Sequence, residues 1–508
     1  MSVSYEYKKE KAGVVFPISA FFVICFVIWG FFAPSHLEDT TSTILQYITH
    51  SFGWFYILVT SLVVAFCLFL AFGPFRHVKL GKRNDQPEFS YFAWVGMLFS
   101  AGMGVGLVFW GIAEPMSHFS TPPNGIEPES TDAAIHGLLY GVFHWGMHPW
   151  AVYALVGMAL ALMKYRKELP GLISSIFYPL LGDKMSGPLG KGIDVTATVG
   201  TSIGIATSFG LSTLQLSGGL EQLFGLTSNN TLYLTIIAVI TLIYMISVWS
   251  GISRGMKYLS EFNLALSGVL LVLLLVVGPT VFVLDHIIKT SGMYISHFVT
   301  LSFDTMPYAD GDWLGEWTIF YWAWVIVWSP FVGTFIARIS RGRTIQQFVL
   351  GVLFIPTIGT ILWFVVFGGS ALYYEIFEGA DLASPIQDDP EAGLFLFLDL
   401  LPFGTILSLL ALLLTTIFFI TSANSATFVL GVLTSKGSLN PTNTVMTVWG
   451  VLIAAVSGAV LISGGLDGLQ SAAIIAALPF TFLLILIIVC VLKYLKNEQR
   501  YSVEREEQ

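Results

Sequence analysis

The segment HWGMHPWAVYALVG carries Trp145, Trp150 and Tyr153. At about 100° per helical residue, the three rings project within an arc of roughly 140°. A second segment, FYWAWVIVWSPFVG, places Trp324 and Trp328 four residues apart, on one face of a helix. A single Trp in an apolar segment is usually filler or an interfacial anchor. Five aromatic rings near the middle of two apolar segments suit another use, an aromatic cage for an organic cation. Ring faces attract a quaternary ammonium by roughly 0.5–2 kcal/mol each, with no buried counter-charge.

A zwitterion suits such a site, because its carboxylate can take backbone N–H groups where a helix unwinds. The stretch SAGMGVG sets Gly102, Gly104 and Gly106 at alternate positions of an apolar segment. Each glycine costs a helix about 1 kcal/mol relative to alanine, so this segment is built to loosen. The stretch FFITSANSATF offers Phe418, Thr421, Ser422, Asn424 and Ser425. Hydroxyls beside freed carbonyls make a hard-oxygen site for Na+. The same hydroxyls can instead bond back to the preceding turn or pack against a neighbouring helix.

Ionisable side chains are scarce at depth. Glu114, Asp194, Arg254 and Glu261 are expected at helix ends, which argues against a strongly charged substrate or a proton pump. His144 and His148 stand four apart, as helical metal ligands can, but no third ligand is evident, and packing or hydrogen bonding is the better reading. No nucleophile–base pair points to an enzyme. A channel or an osmotic sensor is the alternative from outside the transporters.

The elements that must hold these residues follow from composition. The chain has 508 residues, 55% hydrophobic and 11% charged, the balance of a polytopic helical membrane protein. Twelve apolar runs are long enough to span a bilayer. Between them, 22 of the 23 Lys and Arg residues fall on one side, Lys289 alone on the other. The positive-inside rule makes that side, with both termini, cytoplasmic, and places the chain in the cell membrane as a multi-pass protein. The net charge of −9 gathers in outward loops such as EIFEGADLASPIQDDPEAG and reads as a solvated rim. Cys25, Cys67 and Cys490 all fall in expected spans and imply no disulfide framework.

The expected organisation is residues 1–90, an N-terminus and two helices; 91–283, a five-helix unit; 284–313, an outward amphipathic helix; 314–494, a second five-helix unit; and 495–508, a short tail. An odd-numbered unit repeated in series is inverted, and a binding site is expected where corresponding helices of the two units are interrupted. The glycines mark the interruption in the third span, and Pro330 marks one in the eighth. GGLDGLQ reads as a tight outward turn and SRGR as a tight inward one.

Four segments, GMGVGLVFWGIAEP, HWGMHPWAVY, FYWAWVIVWSPFVGTFIARISRGRT and TSANSA, resemble the betaine/choline/carnitine transporter family over essentially the whole chain. The resemblance implies twelve helices with a LeuT-like inverted repeat, spans 3–7 and 8–12, and a homotrimer in the lipid bilayer. It implies a Na+-coupled importer of a compatible solute, glycine betaine foremost, serving osmoprotection without a cofactor or nucleic acid. Trp145, Trp150, Tyr153, Trp324 and Trp328 match the family's substrate box, beside Gly102, Gly104 and Gly106. One Na+ site would use Ser100, Met103, Phe418, Thr421 and Ser422; a second would use Thr201 and Phe331.

Departures from the family pattern also carry information. Val325 stands where betaine members typically carry a further Trp, which leaves room for ectoine, proline or a related zwitterion. Ile205 stands where a second hydroxyl would support Thr201, and Asn424 where an Asp is common. Gly106 replaces the Asp of proton-coupled choline members, in keeping with Na+ coupling. A Na+-independent exchanger of the carnitine type is the nearest rival.

Overall fold

In a bilayer every backbone polar group must find its partner within its own segment, which long apolar runs achieve as helices. The computed structural model is accordingly all-α, with no strand among the described residues. It describes residues 12–506 apart from 103, 124, 251–252 and 310–311, and the side chains described exclude those of 99–102, 253–257 and 500–506.

The first helices are α1 (Val15–Phe32), α2 (Pro34–Phe72), α3 (Tyr91–Gly102), α4 (Val105–Ser120), α5 (Thr131–Trp145) and α6 (Met147–Ala161). Two one-turn helices, α7 (Ile173–Ile176) and α8 (Tyr178–Leu181), lead into α9 (Pro188–Phe224), α10 (Asn230–Ser250), α11 (Ser253–Val277) and α12 (Thr280–Ser302). Then come α13 (Phe320–Ile339), α14 (Ile345–Glu378), the short α15 (Ala383–Asp388) and α16 (Gly393–Asp399), α17 (Gly404–Thr434) and α18 (Asn443–Glu506).

Nine helices among the described residues are long and apolar enough to cross a membrane, against the twelve runs expected. One of the nine, within α18, doubles back. Gly464 and Gly465 leave helical geometry there, and a Cβ on Gly468 would come 3.0 Å from the Val460 carbonyl. A straight helix would hold those residues about 12 Å apart. The expected GGLDGLQ turn lies at this kink. The pair α3–α4 is not among the nine because it is interrupted between Gly102 and Val105.

The interior is assembled from α4, α5, α6, α9, α13 and α14, which pack on one another. Helices α6 and α13 approach at Gly157 and Gly333, where a Cβ on either would lie 3.1 Å from the other's backbone. Such small-residue crossings substitute backbone packing for the hydrophobic drive that lipid removes. On the outside, Phe21, Phe22 and Phe32 of α1 are exposed, as a surface solvated by acyl chains requires.

The amphipathic helix expected over 284–313 is α12, which starts earlier and stops sooner. Pro279 is its N-cap, and it ends at Ser302 ahead of the polar run that follows. The 74–90 loop and the SRGR turn, both assigned to one side by their basic residues, do meet. Leu80 N–H donates to the Arg343 carbonyl at 2.8 Å, Arg341 pairs with Asp85 at 3.0 Å, and Arg338 pairs with Glu88 at 2.5 Å. The hydrogen bonds from these guanidiniums hold both carboxyls below the usual carboxylate range.

Candidate functional site

Two helix breaks build the site. Between α3 and α4, Gly104 is extended (φ −138°, ψ 179°), so the loosening expected from SAGMGVG is present. The second break was not expected. The span read as continuous over 134–163 is two helices, α5 and α6, parted at Gly146 (φ −88°, ψ −133°). A Cβ there would lie 2.6 Å from both the Tyr294 hydroxyl and the Val142 carbonyl, which only glycine avoids. The groups freed by the break are satisfied by side chains. Met147 N–H donates to the Tyr294 hydroxyl at 3.0 Å, and the Thr360 hydroxyl donates to the Trp145 carbonyl at 3.0 Å. Trp145 ends one half-helix and Trp150 lies in the first turn of the other.

The interruption expected at Pro330 is absent. Helix α13 runs unbroken through it, and the irregular turn is instead the π-helix Gly315–Ile319 just before α13. The Ser329 and Thr334 hydroxyls bond to carbonyls of this region, Ile326 and Pro330, in keeping with a proline carried inside a membrane helix.

Trp145 and Trp324 meet edge to face, centroids 5.6 Å apart, and both rings close on Gly106. A Cβ on Gly106 would be 2.7 Å from Trp324 Cη2 and would overlap the Trp145 ring, so the absence of a side chain is what admits the two indoles. Trp324 continues to Trp328 at 6.5 Å and Trp328 to Phe331 at 5.1 Å. Both indoles of α13 donate to α9. Trp328 Nε1–H bonds the Gly204 carbonyl at 2.7 Å, and Trp324 Nε1–H lies 3.3 Å from that oxygen and 3.2 Å from the Ser208 hydroxyl. Trp150 and Tyr153 pair at 5.5 Å, and among the described residues no ring pair joins them to the other three.

Of the residues expected to bind Na+ or solute, Met103 lies outside the described residues, as do the side chain of Ser100 and the surroundings of Gly102. Helix α17 is continuous through Phe418, Thr421 and Ser422, so it frees no carbonyls by unwinding. The Thr421 hydroxyl donates back to Ile417 at 2.9 Å and Phe418 at 3.2 Å, which leaves its lone pairs to accept a cation. Thr201 is fully buried and its hydroxyl has no partner, one turn of α9 before Gly204. A buried hydroxyl left unpaired is costly, so this oxygen is suited to a ligand that supplies the missing interaction.

Sequence reasoning missed the centre of the polar network. Glu114 was placed at a helix end, yet because α4 starts only at Val105 it sits inside that helix, fully buried. Its Oε2 accepts the Tyr321 hydroxyl at 2.7 Å and Trp145 Nε1–H at 3.1 Å, and its Oε1 lies 2.6 Å from His144 Nδ1. A carboxylate accepts, so His144 Nδ1–H donates to it, and the ring's Nε2 lies 2.8 Å from the Thr318 hydroxyl. His118 stands 3.4 Å from the same Oε1. These three ligand-type residues lie within 4.8 Å of one another, but with donors on both carboxylate oxygens the arrangement is a hydrogen-bond network. The signal available was the i, i+4 spacing of Glu114 and His118, with His144 adjoining Trp145. Of the two histidines read as packing or hydrogen bonding, His148 packs, stacking on Trp322 at 4.9 Å.

Buried rings gathered beside helix breaks in an all-α polytopic chain are the setting of a membrane transport protein, and the comparisons with known proteins give that class. The profile of BCCT, the betaine/carnitine/choline family transporters, matches residues 14–500. The chain belongs to that family. It is 48% identical over 476 residues to the glycine betaine transporter OpuD of Bacillus subtilis, covering 93% of this chain and 92% of that one. It is 42% identical to the ectoine/hydroxyectoine transporter of Virgibacillus pantothenticus, covering 97% and 98%, and 38% identical to the osmo-dependent choline transporter BetT2 of Acinetobacter baylyi, covering 96% and 71%.

Proposed function

We propose that the protein is a secondary active importer of a betaine-like compatible solute, glycine betaine foremost, driven by Na+ and serving osmoprotection in the cell membrane. The observation that carries this reading is the convergence of Trp145 and Trp324 on Gly106, two residues past the extended Gly104. Aromatic faces would hold the trimethylammonium group, and N–H groups at the start of α4 would hold the carboxylate. The unpartnered Thr201 hydroxyl, one turn of α9 before the Gly204 that accepts Trp328, supports a Na+ ligand there, with Phe331; Ser100, Met103, Phe418, Thr421 and Ser422 would form the other Na+ site. An inverted five-helix repeat, a homotrimer and cytoplasmic termini belong to the same reading.

Alternating access would move one bundle of helices against the other around the fixed site. Each Na+ entering would gain about 2.3 kcal/mol per 100 mV of inside-negative potential. A second reading, ectoine as the solute, is favoured by Val325. That buried position offers no third indole beside Trp324 and Trp328, and a relative at 42% identity bears an ectoine transporter's name. The test is uptake of labelled glycine betaine into proteoliposomes, with ectoine, proline and choline as competitors. Accumulation should require an inward Na+ gradient; uptake indifferent to Na+ would overturn the coupling, and stronger competition by ectoine would replace the solute.

A further inference from the structure

We propose that Glu114 is a positioning residue of the solute site, its buried carboxylate fixing the plane of Trp145 by accepting the indole N–H. The inference rests on the reading of Trp145 as a wall of that site. Trp145 is the last residue of α5, next to the break at Gly146, so its own backbone holds it less firmly than a mid-helix position would. Two contacts with α4 make up the difference. The ring's far edge lies on Gly106, and its N–H end meets Glu114 at 3.1 Å.

Those residues are eight apart on α4, about 12 Å along its axis, and a helical side chain slants toward the N-terminus. Glu114 therefore reaches back toward Gly106, and the indole is gripped from both ends by one helix. The carboxylate itself is held in place. Tyr321 from α13 shares Oε2 with Trp145, and His144 takes Oε1 while being oriented by Thr318. The network thus ties Trp145, through Tyr321, to the helix that carries Trp324, the ring it meets edge to face. A carboxylate buried without solvent is retained only where it is paired, and here its donors include a ring of the site.

The test is uptake of labelled glycine betaine by the full chain in proteoliposomes. Glu114→Gln, which keeps an acceptor oxygen but turns the charge-assisted bond into a neutral one, should raise KM about tenfold, with the maximal rate within about twofold per inserted transporter. A scaffold role alone would instead lower the maximal rate and leave KM in place. The sulfur isostere of tryptophan, 3-benzothienylalanine, introduced at position 145 by stop-codon suppression, keeps the bicyclic face and removes the N–H. It should reproduce the KM rise, and in its background Glu114→Gln should add nothing further. A wild-type KM with the isostere, or effects that multiply in the double variant, would overturn the proposal, and the isostere decides alone if Glu114→Gln fails to insert. Failure of the underlying reading is distinguishable, because it shows in the unmodified protein as absence of saturable betaine uptake, and the proposal then falls with it.

Discussion

The indole of Trp328 donates to the backbone carbonyl of Gly204 at 2.7 Å, and Trp324 leans on the same oxygen at 3.3 Å. One carbonyl of α9 therefore sets the orientation of two rings of α13. Removing the ring and removing only its N–H should separate in the measurements. Trp328→Ala should weaken glycine betaine binding by tenfold or more, given about 0.5–2 kcal/mol per ring face plus lost packing. Trp328→Phe keeps a face but frees the carbonyl, and should weaken it by a smaller factor. Equilibrium binding in detergent checks both; unchanged affinity in the alanine variant would dismiss the cage.

Thr201 separates an ion ligand from a structural hydroxyl. Its oxygen is buried and unpartnered, so Thr201→Val removes no hydrogen bond within the chain. The melting temperature should hold or rise, while the Na+ concentration for half-maximal uptake should increase several-fold. A lower melting temperature with unaltered Na+ activation would assign the hydroxyl to packing instead.

Gly157 and Gly333 leave no room for a side chain where α6 crosses α13. Overpacking of this kind costs about 1–3 kcal/mol, and Gly333→Val should lower the thermal midpoint in detergent. A variant with an unchanged midpoint would show that the crossing is looser than described.

The clamp between the 74–90 loop and the SRGR turn has a defined pH dependence. Asp85 and Glu88 have carboxyl pKa values lowered in the folded protein by Arg341 and Arg338. Their contribution is fully present above the unfolded values, about 3.9 for Asp and 4.3 for Glu, and is lost as pH falls through the lowered folded ones. Stability from this source should be flat from pH 8 to about 5.5 and fall below about 4. Asp85→Asn with Glu88→Gln should remove that part of the acid-side fall in a melting series; an identical fall would place it elsewhere.

The all-helical class and the glycine-marked break were legible in the sequence because they rest on local terms: apolar run length and the helix cost of glycine. The rings that meet at Gly106 were legible as residue types at helical spacing. Gly146 was not, because a single glycine between two good helical segments is tolerated more often than it breaks them; here Tyr294, 148 residues further on, supplies the hydrogen bond that makes the break affordable. Pro330 misled in the opposite direction, since neighbouring hydroxyls carry a proline through α13. Glu114 was misplaced by a boundary. With α4 starting at Val105, a carboxylate expected at the membrane surface lies in the middle of a helix, and its partners come from segments 30 and 207 residues away.

Tyr294 lies on α12, and its hydroxyl receives the Met147 N–H at the junction of the two half-helices that carry Trp145 and Trp150. The partly exposed α12 is thereby pinned at one atom to the break between α5 and α6. Sliding α12 along its own axis by half a turn, about 2.7 Å, would stretch that 3.0 Å bond past hydrogen-bonding distance. A shift of α12 is accordingly carried to the joint between α5 and α6, the helices that bear Trp145 and Trp150.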